Sequence, residues 1–240
     1  IYGSLGNDIV TVDGTGTKVL DGGPGTDELR INLSGVTSLN NVTLSQEGTA
    51  TVFTDQNNNI IKASNFEKYK LGSNELYTWS DIAGSSGPWK GIFWDTVSKT
   101  VVIYSPTIYN DIFEQFNSKS TDLGLTKDSS NAITDDISII STHGGYDSLN
   151  LNLPRTGTGG SKGVYKGAFT IALGGGNDQL SSGKLKNGDS VDMGSGDDSV
   201  SIMVGGSYGT PTLANFNMVK LDGGTGLDWL NFGESSTNGA

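Results

Sequence analysis

At 240 residues the chain can form one large domain or two small ones, and it holds no apolar run of the ~20 residues that a membrane-spanning helix needs. Its 26 acidic residues against 15 basic ones give a formal charge of −11, which makes nucleic acid and anionic membranes poor partners unless bound metal inverts the local field. With no cysteine there are neither disulfides nor thiolate chemistry, so core packing and metal must hold the fold.

The chain opens with Gly6-Asn7-Asp8-Ile9-Val10, a glycine–aspartate turn running into a predicted strand at Ile9–Val12. A longer form follows at Gly22-Gly23-Pro24-Gly25-Thr26-Asp27-Glu28-Leu29-Arg30, leading into a strand at Leu29–Leu33. Another strand is predicted at Ala50–Thr54, and Thr54-Asp55-Gln56-Asn57-Asn58-Asn59 has the composition of a hairpin turn. Asn65-Phe66-Glu67-Lys68-Tyr69-Lys70-Leu71 echoes Asn215-Phe216-Asn217-Met218-Val219-Lys220-Leu221, but only the second copy is followed by a full glycine–aspartate turn. The first copy is therefore expected to be a decayed turn that has lost its metal.

From about 72 to 141 the composition changes, and an aromatic-rich insertion is expected. It carries Trp79, Trp89 and Trp94 with Tyr77, Phe93, Tyr104, Tyr109, Phe113 and Phe116. Ser98-Lys99 suits a turn, and Thr100–Tyr104 a strand. One short helix is predicted here, with Ser105 as N-cap, Pro106 at the first helical position, and Ile108, Ile112, Phe113 and Phe116 on one face. Core packing is the simplest role for that face and for the tryptophans, with a ligand platform on Trp89 and Trp94 as the functional alternative.

Beyond the insertion the turn recurs as Gly145-Tyr146-Asp147-Ser148-Leu149, Gly176-Asn177-Asp178-Gln179-Leu180, Gly196-Asp197-Asp198-Ser199-Val200 and Gly223-Gly224-Thr225-Gly226-Leu227-Asp228-Trp229-Leu230-Asn231. Strands are expected at Ile137–Ile140, Ser148–Leu153, Ala168–Leu173, Ser199–Val204 and Met218–Leu221. The aspartates stand at 8, 27, 147, 178, 198 and 228, separated by 19, 120, 31, 20 and 30 residues. Such spacing predicts a mainly β fold, a loose calcium-stabilised β-roll or β-sandwich with sites along one edge, split by the insertion.

The chemistry follows from the turn. Glycines permit the positive φ that directs carbonyls inward, the aspartate adds a carboxylate, and stacked turns then form half-sites for Ca²⁺. The expected metal ligands are Asp8, Asp27, Asp147, Asp178, Asp198 and Asp228, with Asn7, Asn177, Asp197 and the turn glycines Gly23, Gly25, Gly224 and Gly226. About four shared ions would offset roughly eight negative charges.

Catalytic motifs are weak. Gly159-Gly160-Ser161-Lys162-Gly163 satisfies G-x-S-x-G, but no apolar strand runs directly into it. The only histidine, His143, precedes the serine where a nucleophile elbow needs one after it, and a single histidine excludes H-E-x-x-H. Asp135-Asp136 and Asp197-Asp198 are neighbours in sequence, which point apart on a strand and suit ligation or capping better than paired acid–base work. The expectation is that the chain is not an enzyme.

The turns resemble the calcium-binding nonapeptide repeat of RTX proteins, large exported toxins, hydrolases and adhesins of Gram-negative bacteria. The likeness covers residues 3 to 34 and 142 to 232. An acidic, cysteine-free segment interrupted by aromatics is also similar in character to the peptide-binding domains of RTX adhesins. That resemblance implies a secreted, calcium-dependent, monomeric module of a longer chain, residues 1–240, at the bacterial surface. Its expected partner is a peptide or protein on another cell, gripped by a short segment, often at a free C-terminus. The expected ligand site joins Asp135, Asp136, Arg155, Ser161, Trp89 and Trp94, with the peptide carboxylate on Ca²⁺. A lectin-like module binding a glycan, or an RTX-linked polysaccharide lyase or epimerase, are the alternatives.

Overall fold

A computed structural model describes residues 1–78, 91–104, 108–109, 116–117, 120–151, 163–182, 185–186, 188–204 and 219–234. The chain divides into two units, Ile1–Ser105 and Pro106–Ala240. Among the described residues almost all regular structure is β, as the sequence predicts.

In the first unit, glycine–aspartate turns join strands of two sheets. Residues 1–3 lead through the turn Gly3–Asp8 into β1 (Ile9–Val12), and β2 (Thr17–Asp21) leads through Gly22–Asp27 into β3 (Glu28–Ile31). After β4 (Val42–Glu47) and β5 (Ala50–Asp55), β6 (Ile60–Ser64) passes through Asn65–Glu67 into β7 (Lys68–Leu71). β1, β3 and β7 pair in parallel, as do β2 and β6, so the three coils stack in register. The Asp55–Asn59 hairpin forms as expected: Asp55 accepts from Asn57 N–H and Asn59 N–H, each at 2.8 Å, and Asn58 takes φ 58°.

The aromatic segment does not leave the sheet at Leu71. β8 (Asn74–Thr78), β9 (Ile92–Asp95) and β10 (Thr100–Ile103) continue it antiparallel after β7, and Ser98-Lys99 lies in the β9–β10 turn. Their alternating side chains close the core with those of the coils. Phe93 packs edge-on to Tyr69 at 4.8 Å and stacks on Tyr104 at 5.2 Å, among Leu20, Leu29, Phe53 and Ile61.

In the second unit each coil gives one strand to each of two parallel sheets. The first sheet runs β12 (Ile137–Ser141), β14 (Phe169–Ala172), β16 (Ser190–Asp192) and β18 (Lys220–Asp222). The second runs β11 (Ile108–Tyr109), β13 (Ser148–Asn150), β15 (Gln179–Ser182), β17 (Ser199–Val204) and β19 (Trp229–Glu234). Register puts like residues in columns: Leu149, Leu180, Val200 and Leu230 in one sheet, Ile139, Ile171, Val191 and Leu221 in the other. The leading members of both columns are buried, which drives stacking, since one coil alone cannot cover its apolar face.

The predicted helix is corrected. Ile108 and Tyr109 form β11, paired in parallel with Ser148 and Leu149, because an Ile–Tyr pair suits a sheet edge better than a short isolated helix. Ser105, Pro106, Ile112 and Phe113 lie outside the described residues, while Phe116 is buried. No helix among the described residues is long and apolar enough to cross a membrane.

Candidate functional site: the stacked aspartate turns

Every motif aspartate sits at the last position of its turn, one residue before a strand, so the parallel register stacks these aspartates along one edge of each unit. The stacking is held by a hydrogen-bond ladder. Asp8 N–H donates to Asp27 Oδ1 at 2.7 Å, Asp147 to Asp178 at 2.8 Å, Asp178 to Asp198 at 2.7 Å, and Asp198 to Asp228 at 3.1 Å. Each rung uses one carboxylate oxygen and leaves the other over. Oδ2 of Asp27, Asp147, Asp178 and Asp198 is buried without a hydrogen-bond partner, and these four residues are at most 2% exposed.

Main-chain carbonyls face the same space. A methyl placed on Gly3 would lie 2.0 Å from Gly22 O and 3.0 Å from Asp8 Oδ2, and one on Gly223 would lie 2.6 Å from Asp228 Oδ2. Gly224, at φ 83°, and Gly226, at φ 138°, back onto the preceding turn, where a methyl would meet Gly194 O at 1.7 Å and Gly196 O at 1.8 Å. Only glycine admits both the positive φ and that approach. No group of three or more His, Cys, Asp or Glu side chains gathers as a metal cluster among the described residues. The oxygen comes instead from single carboxylates and turn carbonyls, the donor set of a hard cation such as Ca²⁺.

Electrostatics point the same way. Burial lifts the Asp178 carboxyl to about 7; the hydrogen bond from Asp147 N–H opposes this, and the neighbouring Asp147 and Asp198 charges reinforce it. Burial likewise raises Asp198, with Asp228 and Asp197 adding to the effect. No lysine or arginine among the described residues pairs with Asp27, Asp178 or Asp198. At Asp178 and Asp198 the desolvation cost is opposed by a backbone hydrogen bond and by no neighbouring lysine or arginine among the described residues.

Three expected ligands have another role. The exposed side chains of Asn7, Asn177 and Asp197 accept the N–H of Thr26 at 3.0 Å, Asp197 at 3.0 Å and Leu227 at 2.9 Å, forming a second ladder that runs opposite to the first. They precede the motif aspartate by one residue, and their side chains are exposed where those of Asp178 and Asp198 are buried. His143 closes the first turn of the second unit: its Nδ1 accepts Gly145 N–H at 2.8 Å, and Nε2 lies 2.9 Å from Asp147 Oδ1. Among the described residues no earlier turn of this unit donates to Asp147, and the imidazole takes that place.

Of the expected ligand site only Trp94, Asp135 and Asp136 lie among the described residues. Trp94 is fully buried in β9, so it is a core residue rather than a platform. Asp136 Oδ1 accepts Ala168 N–H at 2.7 Å and Asp135 Oδ2 accepts Thr126 N–H, both just before β12, whereas Asp147 follows that strand. A five-residue strand is roughly 16 Å long, so these acids do not share an ion with Asp147. Arg155, Ser161 and Trp89 lie outside the described residues. Sequence reasoning missed Asp189, buried and accepting Phe169 N–H at 2.9 Å, and it missed Glu67, whose Oε2 accepts Asp27 N–H at 2.8 Å. Asp189 lies outside the glycine motif; Glu67 was visible only through the 65–71 echo.

No protein-family model and no curated protein matches the sequence. Among solved structures the chain is similar to the extracellular lipase LipA from Serratia marcescens, at 14% identity and a TM-score of 0.25, covering 99% of this chain and 38% of that one. The expectation of a non-enzyme is corrected by this neighbour, which is itself an enzyme, and is withdrawn. At that TM-score the likeness assigns no activity to the chain.

Proposed function

We propose that the chain is a calcium-dependent ligand-binding module of RTX type, exported to the bacterial surface, in which Ca²⁺ completes the aspartate turns and the metal-loaded edge receives a peptide from another cell. The observation that carries this reading is the set of four buried carboxylate oxygens, on Asp27, Asp147, Asp178 and Asp198, that have no partner although every other Oδ of those residues has one. Asp8 and Asp27 would hold Ca²⁺ with turn carbonyls in the first unit. Asp147, Asp178, Asp198 and Asp228 would do so in the second. Bound calcium supplies positive charge that neutralises the stacked carboxylates, and binding free energy that becomes folding free energy.

The aspartates keep the edge negative until the cation arrives; the loaded edge then offers positive charge to a peptide C-terminus. Tyr146, half exposed at the turn before Asp147, gives that edge an aromatic face. The test is binding of a peptide with a free carboxylate, of its amidated form, and of the free form in chelator. Binding that falls on amidation and vanishes in chelator supports the reading. Equal binding of both peptides to the calcium-loaded chain overturns carboxylate capture.

A further inference from the structure

We propose that the turn Asn65–Glu67, which lacks the glycine–aspartate motif, closes a further divalent-cation site in the first unit, with Asp27 Oδ2, the Asn65 carbonyl and the Glu67 carboxylate as oxygen donors. This rests on the reading that the stacked turns hold calcium, and it revises the expectation that this turn has lost its metal.

The geometry reproduces that of a motif turn. A methyl on Gly3 would meet the carbonyl of the next turn, Gly22 O, at 2.0 Å and its own turn's Asp8 Oδ2 at 3.0 Å. A methyl on Gly22, one coil further on, would meet Asn65 O at 2.1 Å and Asp27 Oδ2 at 2.9 Å. Asn65 therefore presents its carbonyl where a motif glycine presents one. The backbone is held there by Gly22 N–H donating to Ser64 O at 3.0 Å and by Asn65 Nδ2 donating to Asp21 Oδ1 at 2.7 Å. Asp27 is wholly buried and its Oδ2 has no partner.

Glu67 supplies the rung. Its Oε2 accepts Asp27 N–H at 2.8 Å, the bond that the next turn's aspartate provides in the other coils. The extra methylene lets a carboxylate reach this position from a turn of only three residues. The Glu67 carboxylate is thus brought to the turn of the buried Asp27, and no lysine or arginine among the described residues pairs with either acid, Arg30 and Lys70 both pairing with Glu28. A divalent ion bound by these carboxylates and the Asn65 carbonyl would give the buried Asp27 Oδ2 the partner it lacks.

The experiment counts calcium bound to the full chain by isothermal titration calorimetry. Glu67→Gln keeps an acceptor for Asp27 N–H and removes the charge, and Asp178→Asn perturbs the second unit alone. The expected result is that Glu67→Gln loses one ion per chain, or weakens one ion roughly tenfold or more, with the remaining ions unchanged. Asp178→Asn should weaken other ions and leave that one. If Glu67→Gln does not fold, Glu67→Asp, with the charge on a shorter arm, must weaken the same ion. Unchanged stoichiometry and affinity in the Glu67 variants, with a wild type that binds several ions, overturn this site alone. A wild type that binds no calcium overturns the underlying reading as well.

Discussion

Asp178 N–H donates to Asp198 Oδ1 at 2.7 Å, while Asp198 Oδ2, on the same carboxylate, is buried with no partner. One oxygen therefore builds the stack and the other is left over, so the structural role and the proposed metal-binding role can be separated by substitution. Asp198→Asn retains an acceptor for the rung and removes the buried charge. Its melting temperature should exceed that of wild type in chelator and fall below it in saturating Ca²⁺. Calorimetry under both conditions checks the sign reversal; a shift of the same sign in both would remove the metal from the explanation.

Calcium removal should loosen the whole fold. Free ion at about 100 times its dissociation constant stabilises a protein by about 2.7 kcal/mol per site. Several sites therefore span most of the stability of an ordinary domain, about 5–15 kcal/mol. Near-ultraviolet circular dichroism in EDTA should show lost tertiary signal that returns on titration with Ca²⁺ at about 0.1–1 mM. An unchanged spectrum and melting temperature in EDTA would refute this.

The rungs are not equal. Asp198 is buried and flanked by turns on both sides, whereas Asp8 is partly exposed with Ser4 N–H donating to its Oδ2 at 2.7 Å. Asp198→Ala strands the Asp178 N–H, at a cost of about 1–3 kcal/mol before any metal is counted. At about 1 mM Ca²⁺ it should lower the melting temperature more than Asp8→Ala. The reverse order would mean that the first unit, not the second, limits stability.

Asp178 sets a pH dependence whose sign differs between the two metal states. Its folded value of about 7 lies above that of an unfolded aspartate, so the metal-free fold holds a proton that the unfolded chain releases. That stabilisation is fully present below the unfolded value and is lost as pH rises through about 7. In chelator the melting temperature should therefore fall between about pH 6 and pH 8. Because Ca²⁺ needs the deprotonated form, its affinity should rise over the same interval. A metal-free melting temperature that climbs with pH there would contradict this.

Much of the site was legible because its determinants are local: a six-residue turn names its own aspartate, and the following aliphatic residue announces the strand. Ile9–Val12 and Ser199–Val204 form as the pattern predicts. What could not be read depended on distant partners. The aromatic composition after Leu71 suggested a separate insertion, yet β8–β10 extend the sheet of the coils, because Phe93 and Tyr104 pack on Tyr69. Proline and a periodic face suggested a helix near Ile108, where pairing with Ser148 supplies ladder hydrogen bonds instead. Glu67 escaped because it serves through reach, a property that a regular motif does not encode.

The order of coils along each stack is also their order along the chain, and in the second unit each coil leans on the coil before it and the one after. Excising Gln179–Asp198 would join Asp178 directly to Ser199 and leave Asp228 as the next acceptor, with Leu149, Val200 and Leu230 still aligned. The stack can thus lose or gain a whole coil without a break in register, so gene segments coding for single coils can be duplicated or deleted in frame. If the turns hold calcium as proposed, cation capacity would then change in whole-number steps.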